Sequence, residues 1–135
     1  MNILVFPKED YSAVIPNGMS GIYFFYDENN KLLYIGKALN IRNRINQHNS
    51  YFSENHLHYK FKEFVKYIGV RYENNDKLEQ LEKRLIKKYR PPLNVSYNEK
   101  HTERYSEKYK TEEEKRIERI RVARTKTSNN FSLGV

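Results

Sequence analysis

Gly21-Ile22-Tyr23-Phe24-Phe25-Tyr26, a polar break at Asp27 to Asn30, then Leu32-Leu33-Tyr34-Ile35-Gly36 is the stretch that decides the fold. β-branched and aromatic residues fill both runs, and Gly, Asp and Asn bound them. That is the pattern of two strands joined by a short turn, a hairpin. Alternation puts Ile22, Phe24 and Tyr26 on one face with Leu33 and Ile35. It puts Tyr23 and Phe25 on the other face with Tyr34. A turn centred between Glu28 and Asn29 sets Tyr23 directly opposite Tyr34, so their side chains share a face.

Working outward, Met1 to Ser20 is broken by Pro7, Pro16, Asn17 and Gly18. Ile3 to Phe6 either adds a short edge strand or packs on the core. Asn40 to Asn49 reads as a helix capped by Asn40 and anchored by Ile41 and Ile45. Arg44 and His48, one turn apart, project from the same side of it. Ser50 to Lys60 is open between loop and helix, Lys60 to Lys66 reads as a short helix, and Tyr67 to Glu73 alternates as a third strand. The clearest helix is Lys77 to Tyr89, with Asp76 as cap and Glu79 completing a capping box. Its apolar stripe is Leu78, Leu81, Leu85, Ile86 and Tyr89. Pro91 and Pro92 end it, and Arg90 is pushed out of helical geometry by the proline that follows. Thr111 and Glu114 mark a last helix to about Arg124, with Asn129 to Val135 frayed. The expected division is a lead-in at 1–14, one domain at 15–98 and a charged helical tail at 99–135. The expected fold is α+β: a small three-stranded, mostly antiparallel sheet flanked by helices.

The 135 residues are 38% hydrophobic and 31% charged, with a formal net charge of +8. That balance suits one modest core and a polyanionic partner: nucleic acid, an anionic surface or an acidic protein. There is no cysteine, which excludes disulfides and thiolate zinc sites. The four histidines, His48, His56, His58 and His101, have no zinc-protease spacing. Met1 to Phe6 lacks the features of a signal peptide, and no apolar run is long enough to span a membrane, so a cytoplasmic setting is expected.

Glu82 is the residue that asks for an explanation. It lies beside Leu81 and four residues before Ile86, on the apolar stripe, while Glu79 and Lys83 fall off it. A carboxylate facing a core needs a cation, a metal or a proton. Taken alone, pairing with a nearby Lys or Arg accounts for it better than a catalytic role does. Taken alone, the Tyr23–Tyr34 pair is better explained by ordinary hairpin packing, and Arg44 with His48, beside Lys37 and Arg42, by a solvated helix face. Together they hold the parts phosphodiester hydrolysis needs: a metal or cation against phosphate charge, a base for water, and a donor for the leaving oxygen. One inward carboxylate suffices for a hard ion that keeps most of its waters. Arginine's planar fork suits phosphate.

These residues also carry a resemblance. Gly21-Ile22-Tyr23 followed by Tyr34-Ile35-Gly36 resembles the paired signature of the GIY-YIG nucleases. Lys37-Ala38 with Arg42, Arg44 and His48 is similar to the motif after it. Glu82, then Leu85-Ile86-Lys87-Lys88-Tyr89-Arg90-Pro91-Pro92-Leu93-Asn94, resembles the domain's close. Within the family the similarity is to the N-terminal nuclease domain of UvrC, over roughly Ile15 to Val95. No second nuclease domain or helix-hairpin-helix module follows, so a full incision subunit is not expected.

The resemblance implies a metal-dependent endonuclease acting on DNA, with branched, damaged or otherwise distorted DNA as the candidate substrate, linked to repair or to a mobile element. It implies that Glu82 holds one Mg²⁺ or Mn²⁺ ion and that Tyr23 and Tyr34 flank the attacking water, one as base or relay. Arg44 binds the scissile phosphate, with Lys37 and Arg42 as further phosphate or DNA contacts. His48 stands where the family uses Tyr or His, and relays a proton or supports the site. Asn94 pins the segment after the helix, and Gly21 and Gly36 serve the backbone. The alternatives are a non-catalytic DNA-binding module on the same fold, or an RNA-directed nuclease. Retention of all the motif positions argues against the first. In the last helix, Ile117, Ile120 and Ala123 make a thin apolar seam, and Arg116, Arg119, Arg121, Arg124 and Lys126 make the far end basic. That pattern reads equally as a DNA-backbone contact and as a docked helix with cations favoured by its dipole. A protein partner at this helix fits as well.

Overall fold

The computed structural model describes residues 2–50, 57–98 and 109–133, with side chains in the last helix described as far as Arg124. His56 and His101 lie outside the described residues. The elements in order are β1 (Leu4–Pro7), a one-turn α1 (Tyr11–Val14), β2 (Gly21–Tyr26), β3 (Leu32–Ala38), α2 (Ile41–His48), α3 (Leu57–Phe64), β4 (Tyr67–Tyr72), α4 (Leu78–Tyr89) and α5 (Glu112–Leu133).

The sheet is fully antiparallel, in the order β1-β4-β2-β3. It has four strands where the sequence pattern gave three. Ile3 to Phe6 is therefore the edge-strand alternative: Leu4 pairs with Val70 and Phe6 with Ile68. Leu4 and Val5 are exposed and only Phe6 is buried, so four residues carry too little pattern to mark a strand.

The hairpin register differs by two residues from the expectation. Tyr23 faces Gly36 and Tyr34 faces Phe25, with a shift between Phe25 and Tyr26. The turn is tighter at its far end than its polarity suggests. Asp27 Oδ1 accepts from the N–H groups of Asn29 (2.8 Å) and Lys31 (2.9 Å), and Asn30 takes the left-handed region at φ 62°. Leu33 is left as the extra residue of a bulge, since Tyr34 pairs with Phe25 and Leu32 with Tyr26. Leu33 therefore packs with the tyrosine-bearing face instead of beside Ile35 as the alternation predicts, and Leu32 stands beside Ile35 in its stead. A two-residue shift preserves parity, so Tyr23 and Tyr34 still share a face, as diagonal neighbours with ring centroids 6.1 Å apart.

Each sheet face is covered. Ile22, Phe24 and Ile35 pack under Leu78, Leu81, Leu85 and Ile86 of α4. Tyr23, Phe25, Ile68 and Val70 pack with Ile41 and Ile45 of α2, Phe61 of α3, Leu93 and Tyr109. Packing thus crosses both expected boundaries, through Phe6 from the lead-in and Tyr109 from the tail. Helix α4 lacks the expected side-chain cap: Asp76 sits in a 3-10 turn (Asn75–Lys77), and Lys77 occupies the cap position without a side-chain bond. Tyr89 at its end is exposed and lies off the buried stripe. Arg90 closes the helix in left-handed geometry, φ 48° and ψ 59°. Helix α5 continues past Arg124 to Leu133, through residues expected to fray.

Candidate active site

The outer edge of β3 organises the site. Strand β3 pairs with β2 on one side only, so the outward N–H and C=O groups of every second residue need other partners. Leu33 C=O accepts from Leu93 N–H at 2.9 Å. The Asn94 side chain satisfies both groups of Ile35: Oδ1 accepts its N–H at 2.9 Å, and Nδ2 donates to its C=O at 2.8 Å. Two residues on, the Lys37 N–H donates to the Glu82 carboxylate. Asn94 is buried and held in turn, its carbonyl accepting from Asn98 Nδ2 at 3.0 Å. So the segment after α4 is fastened to the residue between Tyr34 and Gly36.

The two glycines make room for neighbours. A Cβ on Gly36 would lie 2.2 Å from Tyr23 Cζ, so the Tyr23 ring rests directly on the β3 backbone. A Cβ on Gly21 would lie 2.2 Å from the Arg71 carbonyl oxygen, so only glycine lets β2 start that close to β4.

Tyr23 and His48 are both buried, and Tyr23 Oη lies 2.9 Å from His48 Nε2. Helix α2 delivers the histidine because Asn40 caps its start, accepting the Asn43 N–H at 3.3 Å. Ile41 and Ile45 then hold the same side against the sheet. Rings of Phe25 (centroid 5.2 Å, edge-on) and Phe61 (6.2 Å, stacked) wall in the imidazole. Burial, assisted by the Arg44 guanidinium, pushes His48 down to about 4, so it is neutral at neutral pH. Burial also raises the Tyr23 hydroxyl well above the ordinary tyrosine range; Tyr34 adds to the rise, and Arg44, which hydrogen bonds to Tyr23, opposes it. Tyr34 is raised by burial and then by the Glu82 charge, while Arg44 and a hydrogen bond from Tyr23 pull it down. The Glu82 carboxyl is raised by burial, against the pull of Lys37 and Arg44, with Glu79 adding to the rise.

Tyr23, Tyr34, Arg44, His48, Lys37 and Glu82 therefore form one electrostatically connected group. Arg42 is two residues from Arg44, more than half a turn round the helix, and leaves α2 on another side. Three contributors were not singled out from the sequence. Gln47 Oε1 accepts from Arg44 Nη1 at 2.7 Å, Phe61 stacks on His48, and Glu79 acts on Glu82. Only the first and last had a signal, their helical i,i+3 spacing.

Among the described residues, no three His, Asp or Glu side chains gather. A closed metal cage is therefore not what this donor set builds. A half-buried carboxylate flanked by hydroxyls does fit a hard divalent ion that keeps several waters and takes one carboxylate from the protein.

A model of the GIY-YIG catalytic domain matches residues 19–98. Among curated proteins, UvrABC system protein C of Christiangramia forsetii is 39% identical over 87 residues, 60% of this chain and 14% of that protein. Its counterpart from Methanothermobacter thermautotrophicus is 37% identical over 81 residues, 56% of this chain and 13% of that protein. The chain thus spans only about 14% of the length of the curated relatives it matches. Among solved structures, the GIY-YIG N-terminal endonuclease domain of UvrC from Thermotoga maritima, bound to its catalytic divalent cation magnesium, is similar. Its TM-score is 0.54 at 27% identity, covering 65% of this chain and 94% of that one. No helix among the described residues is long and apolar enough to cross a membrane.

Proposed function

This chain belongs to the GIY-YIG family, and from that premise we propose that it is a metal-dependent endonuclease that hydrolyses DNA phosphodiester bonds. One observation carries the reading: a half-buried Glu82 carboxylate, the Arg44 guanidinium and two tyrosine hydroxyls act on one another at the edge of β3. Glu82 would hold the divalent ion. Such an ion offsets charge on the phosphate and makes water a better nucleophile at neutral pH.

The remaining roles belong to the chain's own groups. Arg44, steadied by Gln47, binds a non-bridging oxygen of the scissile phosphate and offsets the charge that grows there. Tyr34 is the more accessible tyrosine and takes the proton from the attacking water. Its hydroxyl is held high in part by the Glu82 charge, and offsetting that charge brings it down. Tyr23 donates to Tyr34, which favours the phenolate. Neutral His48 and Arg44 hold Tyr23 in place. Lys37 adds positive charge beside Glu82 and the incoming strand. Gly36 and Asn94 fix the backbone on either side of Tyr34's strand. The setting is cytoplasmic in this reading, and the substrate is branched, damaged or otherwise distorted DNA; a catalytic domain of this size carries no module for reading a long base sequence.

The deciding experiment compares wild type with Glu82→Gln on labelled single-stranded, duplex, nicked, bubble and branched DNA, with Mg²⁺, Mn²⁺ or chelator. Metal-dependent cutting should fall at least 100-fold in the variant while DNA binding persists. Undiminished cutting would remove Glu82 from the metal's grip. Tight binding without any cutting by wild type would favour a binding module, and preferential cutting of matched RNA would change the substrate.

A further inference from the structure

Helix α5 divides into an anchored start and an exposed continuation. Tyr109 is buried in the main core, and Thr111 Oγ1 caps the helix by accepting the Glu114 N–H at 3.1 Å. The Glu112 N–H donates to Glu63 Oε2 of α3 at 3.0 Å, and Lys60 Nζ of α3 stands 4.0 Å from Glu114. The opposite side of α3 carries Phe61, stacked on His48. Helix α5 is therefore rooted on the same short helix that supplies one wall of the His48 enclosure. From Glu118 to Arg124 every residue is exposed.

Charge is sorted along this axis. The acidic residues Glu112, Glu113 and Glu114 fill the first turn. Arg116 pairs with Glu113 at 2.6 Å, Lys115 with Glu112 at 3.2 Å, and Lys110 with Glu118. Beyond Glu118 the sequence supplies Arg119, Arg121, Arg124 and Lys126 and no acid at all. The dipole does not account for this, because the helix continues to Leu133 and its last turn holds no basic residue. Nor does self-association: Ile117 and Ile120 are followed at heptad spacing by Arg124 and Thr127, so no apolar seam continues.

From this arrangement we infer that the exposed, basic part of α5 is a second DNA contact, in which Arg119, Arg121 and Arg124 grip duplex phosphates outside the cut site. Arg121 and Arg124, three residues apart, share one flank, and Arg119 leaves on the other. A helix with cations on both flanks meets phosphates on both walls of a major groove, whose width of about 12 Å admits one. At 1.5 Å per residue Arg124 stands about 18 Å along the axis from Glu112, so the contact lies a good part of a duplex turn from the helix's root. The inference rests on the DNA reading of the site.

The test uses the full chain, wild type and the triple variant R119Q/R121Q/R124Q, which keeps good helix formers. Duplex affinity is measured by fluorescence anisotropy from 50 to 200 mM salt, with single-turnover cleavage at saturating DNA and circular dichroism as a check on helix content. The variant should bind at least tenfold more weakly at 100 mM salt. Its log–log salt slope should be shallower by about 2 to 3, near 0.9 per lost phosphate contact. Cleavage at saturation should be unchanged. A wild type that binds and cuts, with a variant of equal affinity and slope, would overturn this inference alone. A wild type with no affinity for duplex at any salt would overturn the site reading too. A variant that changes sedimentation from dimer to monomer would assign α5 to a second copy of the chain and overturn the DNA contact.

Discussion

His48 is a titratable group in an aromatic enclosure, and its position has a cost that depends on acidity. Its folded value near 4 lies below the ordinary value of 6.5. Between those values the unfolded chain binds the proton and the folded chain does not, so stability falls as pH drops through 6.5 and levels off below about 4. The shift corresponds to about 3 kcal/mol in full, and about 2 kcal/mol between pH 7 and pH 5. Urea unfolding should show that loss in wild type, and His48→Gln should be flatter over the same interval. Equal slopes would mean that the imidazole is not held neutral. At this scale spacing and alternation only marked Glu82, the tyrosines, Arg44 and His48 as unusual; it was the resemblance to the GIY-YIG nucleases that joined them into one proposed site, because each side chain alone has an ordinary packing or pairing explanation. Phe61 was not legible at all, because nothing in a short apolar helix says which ring will meet which histidine.

Elements decide whether those side chains converge. Alternation located β2, β3 and β4, and helical periodicity located α2 and α4, because each buries one face over at least six residues. The register was harder. The polarity of Asp27 to Asn30 marks a turn, but the bulge at Leu33 depends on how Asp27 folds its carboxylate over the following N–H groups. The edge partnership of Asn94 was legible only as a pinning residue, its target 59 positions away. That partnership makes a prediction. Asn94→Ala leaves the Ile35 N–H and C=O buried without their partner, a cost of about 2 to 4 kcal/mol. Hydrogen exchange at the Ile35 amide should accelerate along with a lower unfolding midpoint. Retained protection at Ile35 would mean another group, or water, replaces the asparagine.

For the molecule as a whole, both chain segments outside the central pattern are needed to close it. Phe6 arrives through β1, and Tyr109 packs edge-on against Phe64, with ring centroids 5.8 Å apart, while its hydroxyl accepts from Lys31 Nζ at 2.8 Å. A lone tyrosine in a mixed-charge stretch gives no periodicity to read, which is why Tyr109 looked like tail. Tyr109→Ala should destabilise the chain by about 3 kcal/mol, the range for a buried aromatic, and loosen the root of α5. An unfolding midpoint within error of wild type would show that this docking contributes little.

The fastened edge of β3 has one more effect, on how copies of the chain behave towards each other. An open strand edge invites pairing with the same edge of a neighbour and growth into aggregates. Leu93, Asn94 and Glu82 take its outward groups in turn, and the last of these adds a charge that repels a second copy. The carboxylate proposed to hold the metal therefore also guards solubility. Glutamine at position 82 keeps an acceptor for the Lys37 N–H while giving up the charge; alanine gives up both and bares the strand.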